Sequence, residues 1–360
     1  MGIAPARAAH AARAVRACDA SPVIRVFDGH NDALSRLLRA GPGAAEGFLA
    51  GDAVGHLDLP RCERGGFAGG CFAVFTGSPP EAAYESGAYA APIDQPRALR
   101  EALGQVALLL RLERASGGRL RVVRDAADLD GDAVAAVLHL EGAEPIGAGL
   151  DELDVLHAAG TRSLGLVWSR PNAFATGVPF EFPGSPDQGP GLSHAGRELV
   201  RACGELRILV DLSHLNARGF WDVADLSTAP LVASHSGAHA LCASPRNLTD
   251  DQLRAIGERG GLVGINFHVG FLRADGREDA DTPLDSVAAH AAYVAAVAGV
   301  EAVGLGSDFD GATMPAALVD VTGLPALFDA LRKAGFAEAD LPKIAHGNWH
   351  RVLAETWAAG

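Results

Sequence analysis

A histidine and an aspartate stand two residues apart directly after the first apolar run of the chain. The run covers residues 23–27 and is followed by Asp-Gly-His-Asn-Asp, in which His30 and Asp32 can both bind a metal. In an extended segment, side chains two positions apart point to the same side, so this imidazole and this carboxylate can bind one cation. A single His-x-Asp pair is weak evidence, because such residues are common in polar loops. The interpretation therefore depends on whether other apolar runs end in the same way.

Four more metal-competent residues follow later apolar runs. They are Glu141, His214, His235 and Asp308. Together with the first pair they make three imidazoles and three carboxylates without a thiolate, a donor set that suits zinc or another divalent first-row metal. One tetrahedral catalytic ion takes about three protein ligands and keeps an open position, so this set is too large for a single ion. Two ions that share a carboxylate fit better, and Glu141 is the expected bridge between the first pair and the two later histidines.

Eight apolar segments with mostly helical sequence between them must position these residues. Alternating strands and helices predict a parallel sheet with right-handed crossovers, and eight repeats predict an α/β fold of the TIM-type (β/α)8 barrel class. The C-terminal ends of the strands converge on one mouth of such a barrel, where the polar residues are expected to meet. The predicted strands cover residues 23–27, 70–75, 134–140, 163–168, 208–212, 231–233, 262–267 and 302–305. The predicted helices cover residues 33–38, 97–116, 192–205, 249–259, 283–298, 321–335 and 340–358.

The sequence predicts one barrel domain over residues 23–360, preceded by a leader segment at residues 1–22. Arginines interrupt the leader, so it lacks the unbroken apolar core of a secretory signal, and we interpret it as a short amphipathic helix packed on the barrel. Two long loops rich in Pro and Gly, residues 76–96 and 173–191, follow the second and fourth predicted strands. Both are expected over the barrel mouth, either as lid or specificity loops or as passive surface loops.

Composition excludes several classes of protein. The chain has 360 residues, of which 48% are apolar, and this is enough for a large core. A net charge of −14 and the lack of a Lys/Arg-rich run argue against a nucleic-acid partner. No apolar run approaches the length of about 20 residues that crosses a bilayer, so no membrane partner is expected. The five cysteines are widely spaced without a CxxC pair, which predicts buried free thiols in a reducing compartment and a cytoplasmic protein.

Five motifs, in their order along the chain, resemble those of the membrane dipeptidase (renal dipeptidase) family of zinc peptidases, in the amidohydrolase-like superfamily. They are DGHND, LEG, SHLN, SHS with SPRN downstream, and GSDFDG. The resemblance extends over nearly the whole chain from about residue 23. It implies a TIM-type barrel with a binuclear site for two Zn²⁺ ions that hydrolyses dipeptides, often those with a D-residue at the C-terminal position.

Matched motif by motif, the resemblance also implies a role for each residue. It implies one zinc held by His30, Asp32 and Glu141, and a second held by Glu141, His214 and His235. Asp308, the first acid of GSDFDG, matches the catalytic acid/base of the family. Arg246 in SPRN matches the arginine that receives the free carboxylate of the substrate. The resemblance further implies a homodimer.

The chemistry expected of such a site is peptide hydrolysis. A hydroxide that bridges two zinc ions is a nucleophile near neutral pH, because coordination lowers the pKa of water to about 7. Asp308 then takes the proton of the attacking water and passes it to the leaving amine. Asp310, two residues further on, competes for this role and is the less favoured candidate, interpreted as a residue that orients the loop. Arg246 presents a planar fork to a terminal carboxylate, which restricts cleavage to very short substrates.

One departure from the family pattern lies after the fourth predicted strand. The family commonly has a histidine there that helps to polarise the scissile carbonyl, whereas this chain has Trp168, which cannot ligate a metal and donates only through its indole N–H. Arg170 and Asn172 are the candidates to replace that donor, and all three are predicted to contact substrate. His268, after the seventh strand, is a further candidate for the substrate pocket. His139 stands two residues before Glu141 and is a candidate to support a metal ligand.

Three functions follow from this reading of the sequence. The first is a cytoplasmic metallo-dipeptidase with a di-zinc centre. The second is an N-acyl-amino-acid or lactam amidohydrolase that uses the same metals and Arg246, an alternative that the departure at Trp168 keeps open. The third is a catalytically silent barrel that binds a small ligand or a partner. It is disfavoured because every metal-ligand position and Asp308 are filled.

Overall fold

Parallel strands rich in β-branched and small apolar residues form the centre of the fold. The computed structural model describes residues 24–78 and 88–358 of the chain. The strands are β1 Val26–Asn31, β2 Phe67–Phe75, β3 Leu120–Val122, β4 Val134–Glu141, β5 Thr161–Gly165, β6 Leu209–Asp211, β7 Val232–Ser236, β8 Leu262–Ile265 and β9 Val303–Leu305. All pairings between them are parallel.

Eight of these strands close into a barrel. Their order is β1-β2-β4-β5-β6-β7-β8-β9, and β9 pairs back with β1. The remaining strand, β3, is an addition outside this ring. It pairs with the first residues of β4, beginning at Leu120 opposite Val134, whereas β5 pairs with the last residues of β4. The strand is only three residues long, too short to show a recognisable period in the sequence.

Helices connect consecutive strands and cover the outside of the barrel. They are α1 Ala33–Ala40, α2 Ala44–Ala50, α3 Leu59–Gly65, α4 Gln95–Ala115, α5 Asp151–Ala159, α6 His194–Leu206, α7 Ala217–Leu226, α8 Asp250–Glu258, α9 Val269–Leu272, α10 Leu284–Ala298, α11 Leu324–Lys333 and α12 Asn348–Trp357. Several begin at a side-chain cap, such as Thr249, which forms a reciprocal capping box with Gln252 at the start of α8. None of the helices in the described ranges is long and apolar enough to cross a membrane.

Two apolar clusters stabilise the barrel. The larger one lies between the strands and the surrounding helices, and the smaller one fills the barrel at the end opposite the mouth. Trp349 of α12 is fully buried in the smaller cluster and donates its indole N–H to the carbonyl of Leu305 at 2.9 Å. A side chain at Gly29 would begin only 2.4 Å from the Trp349 ring, so the glycine between Asp28 and His30 lets the C-terminal helix close the barrel floor.

The predicted TIM-type (β/α)8 barrel, a single α/β domain, is confirmed. The bounds differ in places. The strand predicted over residues 163–168 covers Thr161–Gly165. Just beyond its end, the Leu166 carbonyl accepts both the backbone N–H of Ala143 at 3.2 Å and the side-chain amide of Asn172 at 2.8 Å. The helices α2, α3, α5, α7 and α9 were not predicted. The predicted leader at residues 1–22 lies outside the described residues, as do residues 79–87 of the first long loop.

Candidate metal and catalytic site

The five predicted metal ligands all lie at the C-terminal ends of barrel strands. His30 belongs to the end of β1, Glu141 is the last residue of β4 and His235 belongs to the end of β7. Asp32 directly follows β1, and His214 stands three residues after β6 in a left-handed conformation with φ 66°. Parallel strands whose ends meet at one mouth therefore bring together side chains that are far apart in the sequence.

Glu141 lies at the centre of this group. Its Oε2 is 3.6 Å from Nε2 of His30, while its Oε1 is 3.1 Å from Nε2 of His214 and 3.7 Å from Nε2 of His235. Nε2 of His30 is also 3.4 Å from Oδ2 of Asp32, and the Nε2 atoms of the two later histidines are 3.0 Å apart. The nitrogen and oxygen ligand atoms thus converge around one carboxylate, whose two oxygens lie near different histidines.

Burial shifts the pKa values of this group, because charge is costly away from water. Every member is at most 6% exposed, and neither ring nitrogen of His30 has a hydrogen-bond partner in the described part of the chain. Burial raises the pKa of Glu141 to about 8 and lowers the pKa of His214 and His235 well below the ordinary value. Burial alone would lower the pKa of His30, but Glu141 and Asp32 outweigh it and raise that pKa to about 10.

The residues fit a divalent cation. In each of two groups of three side chains, every side chain offers one ligand atom, and the three atoms lie within 4.8 Å of one another. One group is His30 with Glu141 and His235, and the other is His30 with Asp32 and Asp308. The ligand atoms are imidazole nitrogens and carboxylate oxygens, which suit zinc and similar first-row ions. A bound cation would give the buried His30 ring the partner that the protein does not supply.

Asp308 is held beside the ligands by a rigid loop after β9. Its carboxylate accepts a hydrogen bond from the side-chain amide of Asn266 at 3.1 Å, and its backbone N–H donates to the carbonyl of His30 at 3.0 Å. Its backbone is left-handed, with φ 64°. The preceding Ser307 donates its N–H and its hydroxyl to the buried carboxylate of Asp28, at 2.6 Å and 2.8 Å. Asp28 therefore fastens β1 to the loop that carries Asp308.

A second aspartate, Asp211, organises the histidine side of the site. Its Oδ1 accepts the backbone N–H groups of Ser213 and Ser234, at 3.0 Å and 2.7 Å, and its Oδ2 accepts the Ser234 hydroxyl at 2.5 Å. The Ser234 oxygen lies 2.8 Å from Nδ1 of His235. His139 lies close by, with Nε2 3.6 Å from Oδ2 of Asp211. Because the serine proton goes to the aspartate, the serine accepts from Nδ1–H of His235, which leaves Nε2 of that ring unprotonated.

Asp28, Asp211 and Asn266 were not predicted from the sequence as residues of the site. Each lies in or next to an apolar strand, and all three are at most 2% exposed. The available signal was an acid or amide inside an apolar run, since such a residue requires a buried partner. That signal shows that a partner exists but does not identify it.

Asp310 is engaged away from the ligand group. One of its carboxylate oxygens accepts from Nε of Arg36 at 2.9 Å, and the other accepts from the backbone N–H of His56 at 2.5 Å. The carboxylate side chain is fully buried. This arrangement is compatible with the predicted loop-orienting role, and it leaves Asp308 as the acid that faces the ligands.

Four of the five predicted ligands, Asp32, Glu141, His214 and His235, line a cavity of about 840 Å³, whereas His30 is fully buried and does not line it. Both long loops contribute to its walls, Tyr89 from the first and Phe180 from the second, so both lie at the mouth. Trp168 and His268, two of the predicted substrate contacts, also line it. His268 packs edge-on against the Phe271 ring, with the ring centroids 4.4 Å apart.

Arg246 lies behind His235. It is 2% exposed, donates from Nη2 to the His235 carbonyl at 3.0 Å, and its guanidinium carbon lies 5.4 Å from the centroid of the Phe271 ring. Its Nε has no hydrogen-bond partner in the described residues. Burial lowers its pKa to about 10, so the group stays charged near neutral pH. A buried cation with an unused donor is suited to receive an anion.

Arg170 and Asn172, like Arg246, lie outside the lining of this cavity, but unlike Arg246 they have no unused donor among the residues that the structure describes. Arg170 is fully buried and paired with Glu144 at 2.7 Å. Asn172 accepts the backbone N–H of Phe174 at 2.9 Å and donates to the Leu166 carbonyl. Both side chains are used within the protein, so the structure does not bring them to the site for which the sequence suggested them.

A (β/α)8 barrel with convergent histidines and carboxylates at its mouth is typical of metal-dependent hydrolases. Comparison with known proteins identifies the family within this class. The sequence profile of the family described as "Membrane dipeptidase (Peptidase family M19)" matches residues 12–359. An "Uncharacterized protein in pqqA 5'region" of Klebsiella pneumoniae is 48% identical over 257 residues, which cover 70% of this chain and 95% of that protein.

Solved structures agree with this match. A metallopeptidase from Rhodobacter sphaeroides, liganded with a phosphinate mimic of the dipeptide L-Ala-D-Ala, is 49% identical with a TM-score of 0.89 and covers 93% of this chain and 100% of its own. A structure described as dipeptidase AC of family M19 has the same identity and TM-score, and the match covers 94% of this chain and 100% of the other. The probable dipeptidase PvdM from Pseudomonas aeruginosa, at 24% identity and a TM-score of 0.77, shares the fold. The chain belongs to the membrane dipeptidase family, peptidase family M19, and is a metallo-dipeptidase.

Proposed function

We propose that this dipeptidase uses two zinc ions that share Glu141. His30 and Asp32 would complete one site, and His214 and His235 the other. The observation that carries the proposal is that the two oxygens of Glu141 face different partners: Oε2 lies 3.6 Å from His30, and Oε1 lies 3.1 Å from His214. A carboxylate with one oxygen on each side is the geometry that a bridging ligand requires.

The protein's own residues divide the remaining work. When bound, the two ions supply Lewis acidity toward the scissile carbonyl and the attacking water. Asp308 accepts the proton of that water at its carboxylate and delivers it to the departing amine. Asn266 holds this carboxylate by donating to Oδ2, and a carboxylate oxygen of Asp308 lies within 4.8 Å of ligand atoms of His30 and Asp32. Arg246 receives the terminal carboxylate of the substrate, since it is a buried cation with an unused donor beside His235.

The substrate is a dipeptide, and we propose that it includes dipeptides with a D-residue at the C-terminal position. The support is the relative from Rhodobacter sphaeroides, which binds a phosphinate mimic of L-Ala-D-Ala and is 49% identical over 93% of this chain. The cavity of about 840 Å³ accommodates a ligand of this size.

Metal analysis combined with kinetics tests the proposal. The purified protein should carry two zinc ions per chain and hydrolyse L-Ala-D-Ala, whereas Asp308→Asn should keep both ions and lose at least about 100-fold in kcat. Asp320→Asn is the matched control, because Asp320 pairs with Arg61 outside the ligand group, and it should retain kcat. One ion per chain would overturn the shared-carboxylate arrangement. Cleavage of N-acyl-amino acids alone would instead favour an amidohydrolase acting on blocked substrates.

A further inference from the structure

One wall of the cavity is a continuous group of aromatic rings. Trp168 is at its centre, 7% exposed, with ring centroids 5.2 Å from Phe75, 5.8 Å from Tyr89 and 5.2 Å from Phe180. On its other side the Trp168 ring lies 5.9 Å from the ring of His214. We call these four aromatic residues, Phe75, Tyr89, Trp168 and Phe180, the aromatic wall. It reaches from a proposed metal ligand to the two long loops at the mouth.

A buried arginine fixes the position of this wall. The guanidinium carbon of Arg170 lies 4.9 Å from the centroid of the Trp168 ring and 5.6 Å from that of Phe75. The group donates to Glu144 at 2.7 Å and to the Thr76 carbonyl at 2.6 Å. These acceptors belong to the loops after β4 and β2. Arg170 thus joins three loops behind the wall, and its planar fork is needed because the acceptors lie in different directions.

The four side chains of the aromatic wall are uncharged and line the cavity next to the proposed metal ligands. Elsewhere the cavity is lined by charged groups, including Arg36, Glu181 and Glu278. An apolar substrate side chain gains by removing its surface from water against the rings, whereas a charged side chain there would lose hydration without meeting an opposite charge on these four residues. The aromatic wall therefore favours apolar substrate side chains over charged ones.

Arg246 indicates which substrate residue meets the wall. Arg246 contacts His235 and Phe271, and two steps between rings separate it from Trp168: Phe271 to Phe180 at 6.0 Å and Phe180 to Trp168 at 5.2 Å. A dipeptide with its carboxylate at Arg246 and its scissile carbonyl at the ligands directs its amino-terminal residue away from Arg246. Trp168 lies beside His214 and is two ring contacts away from Phe271, the ring that Arg246 contacts, so we place the amino-terminal residue at the aromatic wall.

We propose that the aromatic wall is the specificity-determining subsite for the side chain of the amino-terminal residue, that it selects apolar side chains, and that Arg170 is the residue that positions it. This inference rests on the proposed function, in particular on Arg246 as the carboxylate receptor. The substrate class is therefore dipeptides with an uncharged, apolar first residue.

Two dipeptide series test the proposal in the zinc-loaded enzyme. The first varies the amino-terminal residue (Gly, Ala, Leu, Asp, Lys) before a constant alanine, and the second varies the carboxy-terminal residue after a constant alanine. For the wild type, kcat/KM should be at least about tenfold higher for Ala or Leu than for Asp or Lys in the first position. Trp168→Ala should reduce this preference at least about fivefold, chiefly through KM, and should change the ratios of the second series less than about twofold.

Trp221→Ala is the matched control for that substitution, because Trp221 is 41% exposed on α7 and away from the mouth. It should leave both series unchanged. Hydrolysis of neither series by the zinc-loaded wild type would refute the proposed function. Hydrolysis with an unchanged first-series preference in Trp168→Ala, or with the change in the second series instead, would refute the aromatic wall alone.

The role of Arg170 needs a variant that leaves no charge buried. The double variant Arg170→Met with Glu144→Gln removes both charges of the pair and keeps the side-chain volumes similar. It should lose the first-series preference as Trp168→Ala does, while zinc content stays at the wild-type value. Arg170→Lys, which keeps the charge but not the fork, should restore part of the preference. A folded double variant with wild-type preference would show that the wall needs no support from Arg170.

Discussion

Replacing Asp211 by Asn should reverse the protonation of His235 without disturbing the backbone around it. In the native site Oδ2 of Asp211 takes the Ser234 proton at 2.5 Å, so the serine oxygen accepts from Nδ1–H of His235, and Nε2 is free to bind a metal. An amide at position 211 donates to Ser234 instead. The serine proton then points to Nδ1 of His235, which favours the ring with its hydrogen on Nε2.

The size of the effect follows from which bonds are lost. Both backbone bonds to residue 211 end on Oδ1, from Ser213 at 3.0 Å and Ser234 at 2.7 Å, and the asparagine carbonyl can accept both. The fold should therefore lose less than about 2 kcal/mol, the value of one charge-assisted hydrogen bond. Metal affinity at the site of His235 should fall about 10- to 100-fold, which corresponds to about 1.4–2.7 kcal/mol.

The assay is competition for zinc with a chromophoric chelator, in parallel with a thermal melt. Asp58→Asn is the control, since Asp58 is equally buried and its carboxylate likewise accepts a backbone and a side-chain hydrogen bond, here from Arg61, outside the ligand group. The control should change zinc affinity less than about threefold. Wild-type zinc affinity in a folded Asp211→Asn protein would refute the reasoning, and so would equal losses in both variants.

Three further outcomes are expected. Removing the metal with a chelator should lower the free energy of unfolding, and zinc at 100 times its Kd should restore about 2.7 kcal/mol. The measurement is a reversible shift in Tm. An unchanged Tm would mean that the ligand group tolerates its own buried charge. Gly177→Ala should lower both Tm and activity, because a Cβ there would lie 1.8 Å from the Trp168 carbonyl, whereas Gly149→Ala, with open space around it, should leave activity unchanged. Trp349→Ala should destabilise the fold by about 3–5 kcal/mol in denaturant melts, because the ring is fully buried at the barrel floor; a loss below about 1 kcal/mol would contradict this packing.

The sequence was sufficient to predict the barrel fold and the proximity of His30, Glu141 and His235. Strand ends can be read from apolar runs, and in a parallel barrel all such ends face one mouth, so topology alone brings these residues together. The pairings behind them could not be read in this way. Arg170 was a candidate for substrate contact, but in the structure it pairs with Glu144, 26 positions earlier. A charged side chain in a loop looks the same in sequence whether it faces solvent, substrate or a buried partner.

Asp211 shows the same limit within a strand. Its acid stands out in an apolar run, yet only the register of β6 and β7, in which Asp211 lies opposite Val232, reveals that its partner is Ser234. Such partners depend on strand register and rotamers. Neither is fixed by local pattern, because neighbouring strands can slide without changing their own apolar sequence.

The left-handed backbone at His214 and Asp308 also restricts how this mouth can be re-engineered. Both residues hold φ near 65°, where β-branched side chains are strongly disfavoured and Asn, Asp, His and Gly are tolerated. In a saturation library at either position, most variants would therefore carry a side chain that strains the loop, and this strain would mask any effect on the chemistry. A library restricted to those four residue types would separate the effect of changing a ligand from the effect of breaking the turn that presents it.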